Sequence, residues 1–246
     1  MDKFVKLGQD MVLLWSKYKV MYWAGIWNTL KLAFLATLIG CFIGLLCGVL
    51  NTIPYTKKDP LPKRFLLKLL RIIIRIYVEV FRGTPMVLQS VFIYYGLPYF
   101  SNNALRFDNI FAAALLIVAI NTGAYMAESV RGGIISIDPG QTEGAKAIGM
   151  THVQTMLYVI LPQALRNIMP QIGNNLIINI KDTCVLSIIG IVELFYTTKG
   201  VAGAYYTYFE SFTIAMVMYF ILTFVCSRLL RLLEHKMEGP QNYDLA

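Results

Sequence analysis

Tyr22 to Leu50 reads YWAGIWNTLKLAFLATLIGCFIGLLCGVL, and this stretch decides the fold. Asn28 and Lys31, both near one end, are its only strongly polar interruptions. About 20 apolar residues suffice for a helix to cross the roughly 30 Å hydrocarbon core of a bilayer, so the stretch predicts a membrane span. Ala36, Gly40, Gly44 and Gly48 recur at every fourth position. That step puts four small side chains on one helix face, where another helix can approach backbone to backbone. Working outward, further apolar stretches lie over about 86–100, 109–128, from Pro162 onward, and 212–233. The stretch over 109–128 repeats the small-residue step at Ala119, Gly123 and Ala127. The expectation is an all-α, polytopic membrane protein with five transmembrane helices.

Composition agrees with that expectation. Of 246 residues, 57% are hydrophobic and 15% charged, with a mean hydropathy of +0.59. Soluble domains run at about 45–50% and about 25%, so an ordinary soluble enzyme is excluded. The net charge of +8 makes no case for a nucleic-acid partner, because the lysines and arginines cluster between the apolar stretches, as membrane orientation requires. Cys41, Cys47, Cys184 and Cys226 sit in apolar surroundings without metal-ligand spacing, and His152 and His235 form no HExxH pair. No metal, cofactor or catalytic residue is expected in this chain. With no GxxxxGK[ST] loop, any ATP and Mg²⁺ used belong to another subunit.

Residues 1–21 read as an amphipathic interfacial segment, with Phe4, Leu7, Met11, Leu14 and Tyr18 at steps of three and four. Residues 22–236 form the transmembrane domain, and 237–246 a cytoplasmic tail. Between the first two spans, Pro54, Pro60 and Pro62 make 51–64 a loop. Lys68, Arg71, Arg75, Glu79 and Arg82 then fall on one stripe of a helix over 65–82, which reads as surface-lying or cytosol-facing, stabilised by burial of its apolar face. The spacing of Arg75 and Glu79 suits an ion pair. Gly83, Thr84 and Pro85 break the chain after it. This loop and helix hold eight lysines and arginines, and Arg228, Arg231 and Lys236 follow the last span. The positive-inside rule therefore places both regions in the cytoplasm, with the N-terminus outside and the C-terminus inside.

The least membrane-like stretch is 131–161, whose core, about 136–161, reads as two short helices. Asp138, Pro139 and Gly140 make a turn, Gln141 to Ile148 a helix, Gly149 its stop, and Thr151 with Gln154 a capping box for the next helix. Glu143, Gly144, Ala145 and Gly149, then Leu161 and Pro162, resemble the EAA motif of ABC importer permeases: EGAKAIG, MTHVQTMLY, VILP. Gly144 stands for the second alanine and Val159 for the isoleucine. EVFRGTPMVLQ (Glu79 to Gln89), AYMAESVRGGI (Ala124 to Ile134), LPQALRNIMPQIGNN (Leu161 to Asn175) and IKDTCVLS (Ile180 to Ser187) are similar to polar amino-acid permeases of the histidine and glutamine type. Cys184, where a serine is expected, is a departure from that pattern.

The resemblance implies a type I ABC importer fold in a bacterial cytoplasmic membrane. Its implied role is a permease subunit working by alternating access, with the EAA segment as the coupling helix. Glu143, Gly144, Ala145, Gly149 and Pro162 are then the ATPase-coupling residues. Implied partners are two copies of an ATP-binding subunit, a second permease subunit (identical or homologous), an extracytoplasmic solute-binding protein and an amino-acid substrate.

The fourth span is unusually polar, with Gln163, Asn167, Gln171, Asn174, Asn175 and Asp182 mostly on one side and Ile168, Ile172, Leu176 and Ile180 on the other. Polar groups in a bilayer bond to one another or face water, so either they line a wet substrate path or they cross-link helices at about 0.6 kcal/mol per bond. On the first reading Asn167, Gln171, Asn174, Asn175, Asp182, Thr183 and Gln89 line the path. Asp182 and Thr183 would then meet a zwitterion's ammonium and carboxylate. An ion-coupled secondary transporter using Lys181 and Asp182 is the rival, but no internal repeat is evident and the ordered EGAKAIG segment would go unexplained.

Overall fold

The computed structural model describes residues 2–238, so the tail expected over 237–246 lies almost wholly outside the described residues. Helix α1, Asp2–Thr52, is followed by α2, Leu61–Gly83; α3, Met86–Val91; and α4, Leu97–Phe100. Then come α5, Ile110–Ile135; α6, Pro139–Ala147; α7, His152–Gln154; α8, Leu161–Asp182; α9, Leu194–Tyr205; and α10, Tyr208–Glu238. A π-helical turn, Phe92–Gly96, links α3 to α4, and a second, Thr155–Ile160, links α7 to α8. The 3₁₀ stretch Thr183–Ile189 extends α8. All regular structure among the described residues is helical.

The chain packs as two compact units. The first comprises α1 up to Thr37, Pro85–Val118 and Leu176–Arg228; the second comprises Leu38–Thr84, Ala119–Asn175 and α10 from Leu229. In the first, Leu32, Ala36, Ile117, Val118, Leu186 and Ile189 share a core, and Leu14, Tyr22, Leu194, Val201, Ile214 and Met218 share another. In the second, the core is Met126, Val130, Ile134, Ile160, Ala164 and Ile168.

The glycine step of α1 finds its partner within the second unit. A Cβ at Gly40 would lie 2.6 Å from Thr122, one at Gly48 would lie 2.6 Å from Val130, and one at Gly44 would strike Met126. All three neighbours are on α5, whose Gly123 in turn receives Ile43 and the Tyr77 hydroxyl. The expected small-residue contact is therefore an α1–α5 contact inside one chain.

Three expectations are corrected. The segment over 1–21 is not a separate helix: α1 runs unbroken through 51 residues, and Met11, Leu14, Trp15 and Tyr18 pack with residues of α9 and α10. Helix α2 starts at Leu61, earlier than expected, because Pro62 falls in its first turn, where a missing N–H removes no helical bond. Its apolar side is also not buried as a whole, since only Leu67 and Ile74 are. Phe65, Leu66, Leu69, Ile72, Ile73 and Ile76 are exposed, while Arg71, Arg75, Glu79 and Arg82 line a cavity. An outward apolar face suits a helix solvated by lipid, and the Arg75–Glu79 pair is not formed; the described ion pairs are Lys63–Asp59 and Arg82–Glu128.

Three helices are long and apolar enough to cross a membrane: Phe4–Thr52, Ile110–Ile135 and Tyr208–Glu234. A fourth span is possible as the pair His152–Ile189 and Leu194–Tyr205, bent by 54°. It runs through Pro162 instead of beginning there. Proline cannot donate to the carbonyl one turn back, and the π-helical turn Thr155–Ile160 absorbs the mismatch. The span expected over 86–100 is about 22 Å long at 1.5 Å per residue, too short alone, because the Thr84–Pro85 break separates it from α2.

Candidate functional site

The segment between α5 and α8 belongs to the second unit and is built by local signals. Asp138 Oδ1 accepts the Gly140 N–H at 2.6 Å, and Pro139 occupies the first turn of α6. Gly149, at φ +83°, reverses the chain in a conformation that side chains with a Cβ rarely adopt, and Met150 N–H closes the end onto the Ala145 carbonyl at 3.0 Å. Thr151 and Gln154 then make the expected capping box: Gln154 N–H donates to Thr151 Oγ1 at 3.3 Å and Thr151 N–H to Gln154 Oε1 at 2.8 Å.

Held this way, the segment presents the Asp138 and Glu143 carboxylates beside exposed apolar groups. Ala145 is buried against the rest of the unit, whereas Glu143 is exposed, as are Ile148 (79%), Val153, Leu157 and Tyr158 (73%). Gly144 has open space where a Cβ would stand, so nothing within this chain requires glycine there. Pro162 is exposed on the helix that continues from the segment. The exposed surface of the segment thus combines four apolar side chains with both signs of charge, Asp138 and Glu143 against Lys146.

Helix α8 divides its polar residues into two sets. In the second unit Asn167 and Asn174 are exposed and Gln171 half-buried, while Ile168 on the opposite face is buried in the core. Asn167 reaches Ser136 Oγ at 3.4 Å, and Gln163 bonds the Val159 carbonyl at 2.7 Å. Asn175 is not on the open side: its amide is buried and donates to the Gln171 carbonyl and to Met126 Sδ, each at 3.0 Å. In the first unit Lys181 is exposed and Asp182 half-buried at the end of α8. Thr183 is fully buried with its hydroxyl committed to the Ile180 carbonyl at 3.0 Å, and Gln89 is buried. The structure thus brings Asn167, Gln171 and Asn174 together on an open polar stripe, and withdraws Asn175, Thr183 and Gln89 into packed surroundings.

Several polar groups escape sequence reasoning. Asn179 Nδ2 donates to Thr37 Oγ1 at 2.8 Å in a buried pair within the first unit. Glu193, fully buried, caps α9 and accepts the Tyr219 hydroxyl at 2.8 Å. Asn28 Nδ2 reaches the Val192 carbonyl at 2.8 Å, and Leu194 N–H donates to Thr29 Oγ1 at 3.2 Å, clamping the bend before α9 onto α1. These partners stand far apart in the chain, so no spacing announces them. The acidic residue just before an apolar helical run was the one local signal available for Glu193.

Residues 60–239 match the family model described as the binding-protein-dependent transport system inner membrane component. The glutamine transport system permease protein GlnP of Escherichia coli strain K12 is 37% identical over 223 residues, 88% of this chain and 97% of that protein. The arginine transport system permease protein ArtQ of Bacillus subtilis strain 168 is 32% identical over 218 residues, 87% of this chain and 91% of that one. Among solved structures, a crystal structure of an amino acid ABC transporter with histidines matches with a TM-score of 0.78 and 37% identity, covering 91% of this chain and 97% of that one.

Proposed function

From the premise that this chain belongs to the family of binding-protein-dependent transport system inner membrane components, as a permease subunit of an ABC importer, we propose that its cargo is a polar amino acid. The single observation that carries the cargo class is the likeness across nearly the whole chain to glutamine and arginine permeases, at 37% and 32% identity. The exposed amides of Asn167 and Asn174 with the half-buried Gln171, and separately Lys181 with Asp182, supply the donors and acceptors that a zwitterion needs. Asn175, buried and bonded to the Gln171 carbonyl, acts as a support within the second unit, and Thr183 and Gln89 act as buried supports within the first.

The coupling role belongs to α6 and the turn after it. Glu143 meets a positive group of an ATP-binding subunit while Ile148, Val153, Leu157 and Tyr158 fill an apolar groove there, and Gly144, Ala145, Gly149 and Pro162 set the shape of the segment. ATP and Mg²⁺ reside on that partner, present in two copies. A second permease, identical or homologous, completes the path, and an extracytoplasmic solute-binding protein delivers the amino acid. The N-terminus lies outside and the C-terminus inside, on the count of lysines and arginines beside the spans.

Gentle purification of the tagged chain, with mass spectrometry of what accompanies it, tests this reading. Wild type is expected to bring down an ATP-binding subunit, and Glu143→Lys to lose it while remaining folded. Loss of ATP-stimulated amino-acid uptake in vesicles should follow. A folded chain that purifies alone in both forms would overturn the coupling role, and uptake driven by a proton gradient without ATP would restore the secondary-transporter reading.

A further inference from the structure

A cavity of about 570 Å³ opens within the second unit, between α2, α5 and the end of α1. Its charged lining is Arg71, Arg75, Glu79, Arg82, Glu128 and Arg131: four guanidiniums against two carboxylates, a net of two positive charges. Arg82 and Glu128 neutralise each other in an ion pair. Arg71 is held from behind, its Nη2 donating to the Ile53 carbonyl at 2.6 Å and its guanidinium lying 4.6 Å from the centre of the Tyr55 ring. Its Nε–H is buried with no acceptor. Arg75 and Arg131 have no hydrogen-bond or ion-pair partner among the described residues, which leaves Glu79 alone to balance three cations.

Arg75 is exposed and Arg131 half-buried, so the cavity is open to solvent and can admit a ligand, and guanidiniums in a membrane-spanning protein are favourable where they face water or an anion. Several of them converging on one cavity, with an orphaned buried N–H beside them, mark the place of an acceptor-rich anion. Guanidinium forks match phosphate oxygens in bidentate fashion, and the volume falls within the roughly 300–1,000 Å³ of ligand sites. Ile74, Val78 and Ile135 add an apolar wall that would accommodate glycerol and the first methylenes of an acyl chain. We infer that this cavity binds a phosphate group, carried either by the headgroup of an anionic phospholipid or by free phosphate. Neither α6 nor the polar stripe of α8 contributes to it, so the site is independent of the coupling and cargo roles.

Native mass spectrometry of the full chain, purified with its co-purifying subunits and stripped of lipid, tests the site. Dioleoylphosphatidylglycerol, dioleoylphosphatidylcholine and inorganic phosphate are the probes. The first phosphatidylglycerol should bind in preference to phosphatidylcholine by roughly fivefold per free arginine, or about thirtyfold for Arg75 and Arg131 together. That preference should collapse in the double variant Arg75→Gln, Arg131→Gln, and persist when the same charge is removed from the exposed loop by Lys57→Gln, Lys58→Gln. Among the described residues neither arginine bonds another, so the double variant should keep its melting temperature; should it not, Arg131→Gln alone is read, with a drop of about fivefold expected. Displacement of phosphatidylglycerol by millimolar inorganic phosphate identifies free phosphate as the ligand, and resistance to displacement identifies the lipid. Equal binding of the two lipids with no phosphate bound, or a preference unchanged in the arginine variants, would overturn the inference.

Discussion

Helices α6 and α9 both begin on an acidic cap, and what surrounds each cap separates their roles. Asp138 caps α6 in the open, accepting one N–H, from Gly140, at 2.6 Å. Glu193 caps α9 with no exposed surface, accepting Tyr196 N–H at 2.7 Å, Phe195 N–H at 2.8 Å and the Tyr219 hydroxyl at 2.8 Å. Water can replace the first cap, whereas the second satisfies donors that have no other partner within reach. The proposed coupling role of α6 requires order without burial. The break between the 3₁₀ stretch and α9, turned by Gly190 at φ +89°, has the Leu194 N–H and the Val192 carbonyl bonded to Thr29 and Asn28 inside the unit.

Removing the buried carboxylate should have the largest effect. Glu193→Ala orphans two backbone N–H groups and a hydroxyl, and should cost about 3 kcal/mol or more, read as a fall in melting temperature in detergent. Glu193→Gln, which keeps the acceptor oxygen, should lose markedly less; equal losses would mean that Glu193 acts through volume and not through its hydrogen bonds. Asp138→Ala should cost about 1 kcal/mol, with the larger effect on retention of the ATP-binding subunit, because the knob loses order more than the fold loses stability. If stability falls as far as in Glu193→Ala, exposure is not what distinguishes the two caps.

The smallest effect belongs to a third acidic group, in the loop before α2. Lys63, 2.6 Å away, and the Thr56 N–H at 2.7 Å hold the Asp59 carboxyl below the usual carboxylate range. A depressed value in the folded chain stabilises above the unfolded value of about 3.9, and that stabilisation disappears as pH falls through the folded value. Wild type should therefore melt slightly above Asp59→Asn at neutral pH, and the gap should close in acid. A gap that widens in acid would refute the assigned sign.

Much of this was legible in the order of residues. The start and stop signals of α6 and α7 are contained within a few neighbouring positions, so Asp138, Gly149, Thr151 and Gln154 do in the structure what their spacing says. The four-residue steps of α1 and α5 announced close packing, but not with each other, since a face of small side chains names no partner. The sidedness of α2 misled because a single stripe of charge on an apolar helix reads the same whether the charges face bulk water or a cavity. Of the residues expected along the path, three of the α8 amides hold an open stripe, while Asn175 and Thr183 found nearer partners on α5 and on α8 itself.

What the sequence determined by itself is whatever short range can decide: an all-helical membrane chain, from the density of apolar residues, and the ordered segment between α5 and α8, from caps and glycine. Tertiary structure alone decided which helices touch, which polar groups are buried and which arginines remain unpaired. Asn179 meets Thr37 across 142 positions and Leu194 meets Thr29 across 165. Pairings of that separation are selected by the joint packing of several helices, and no local pattern encodes them.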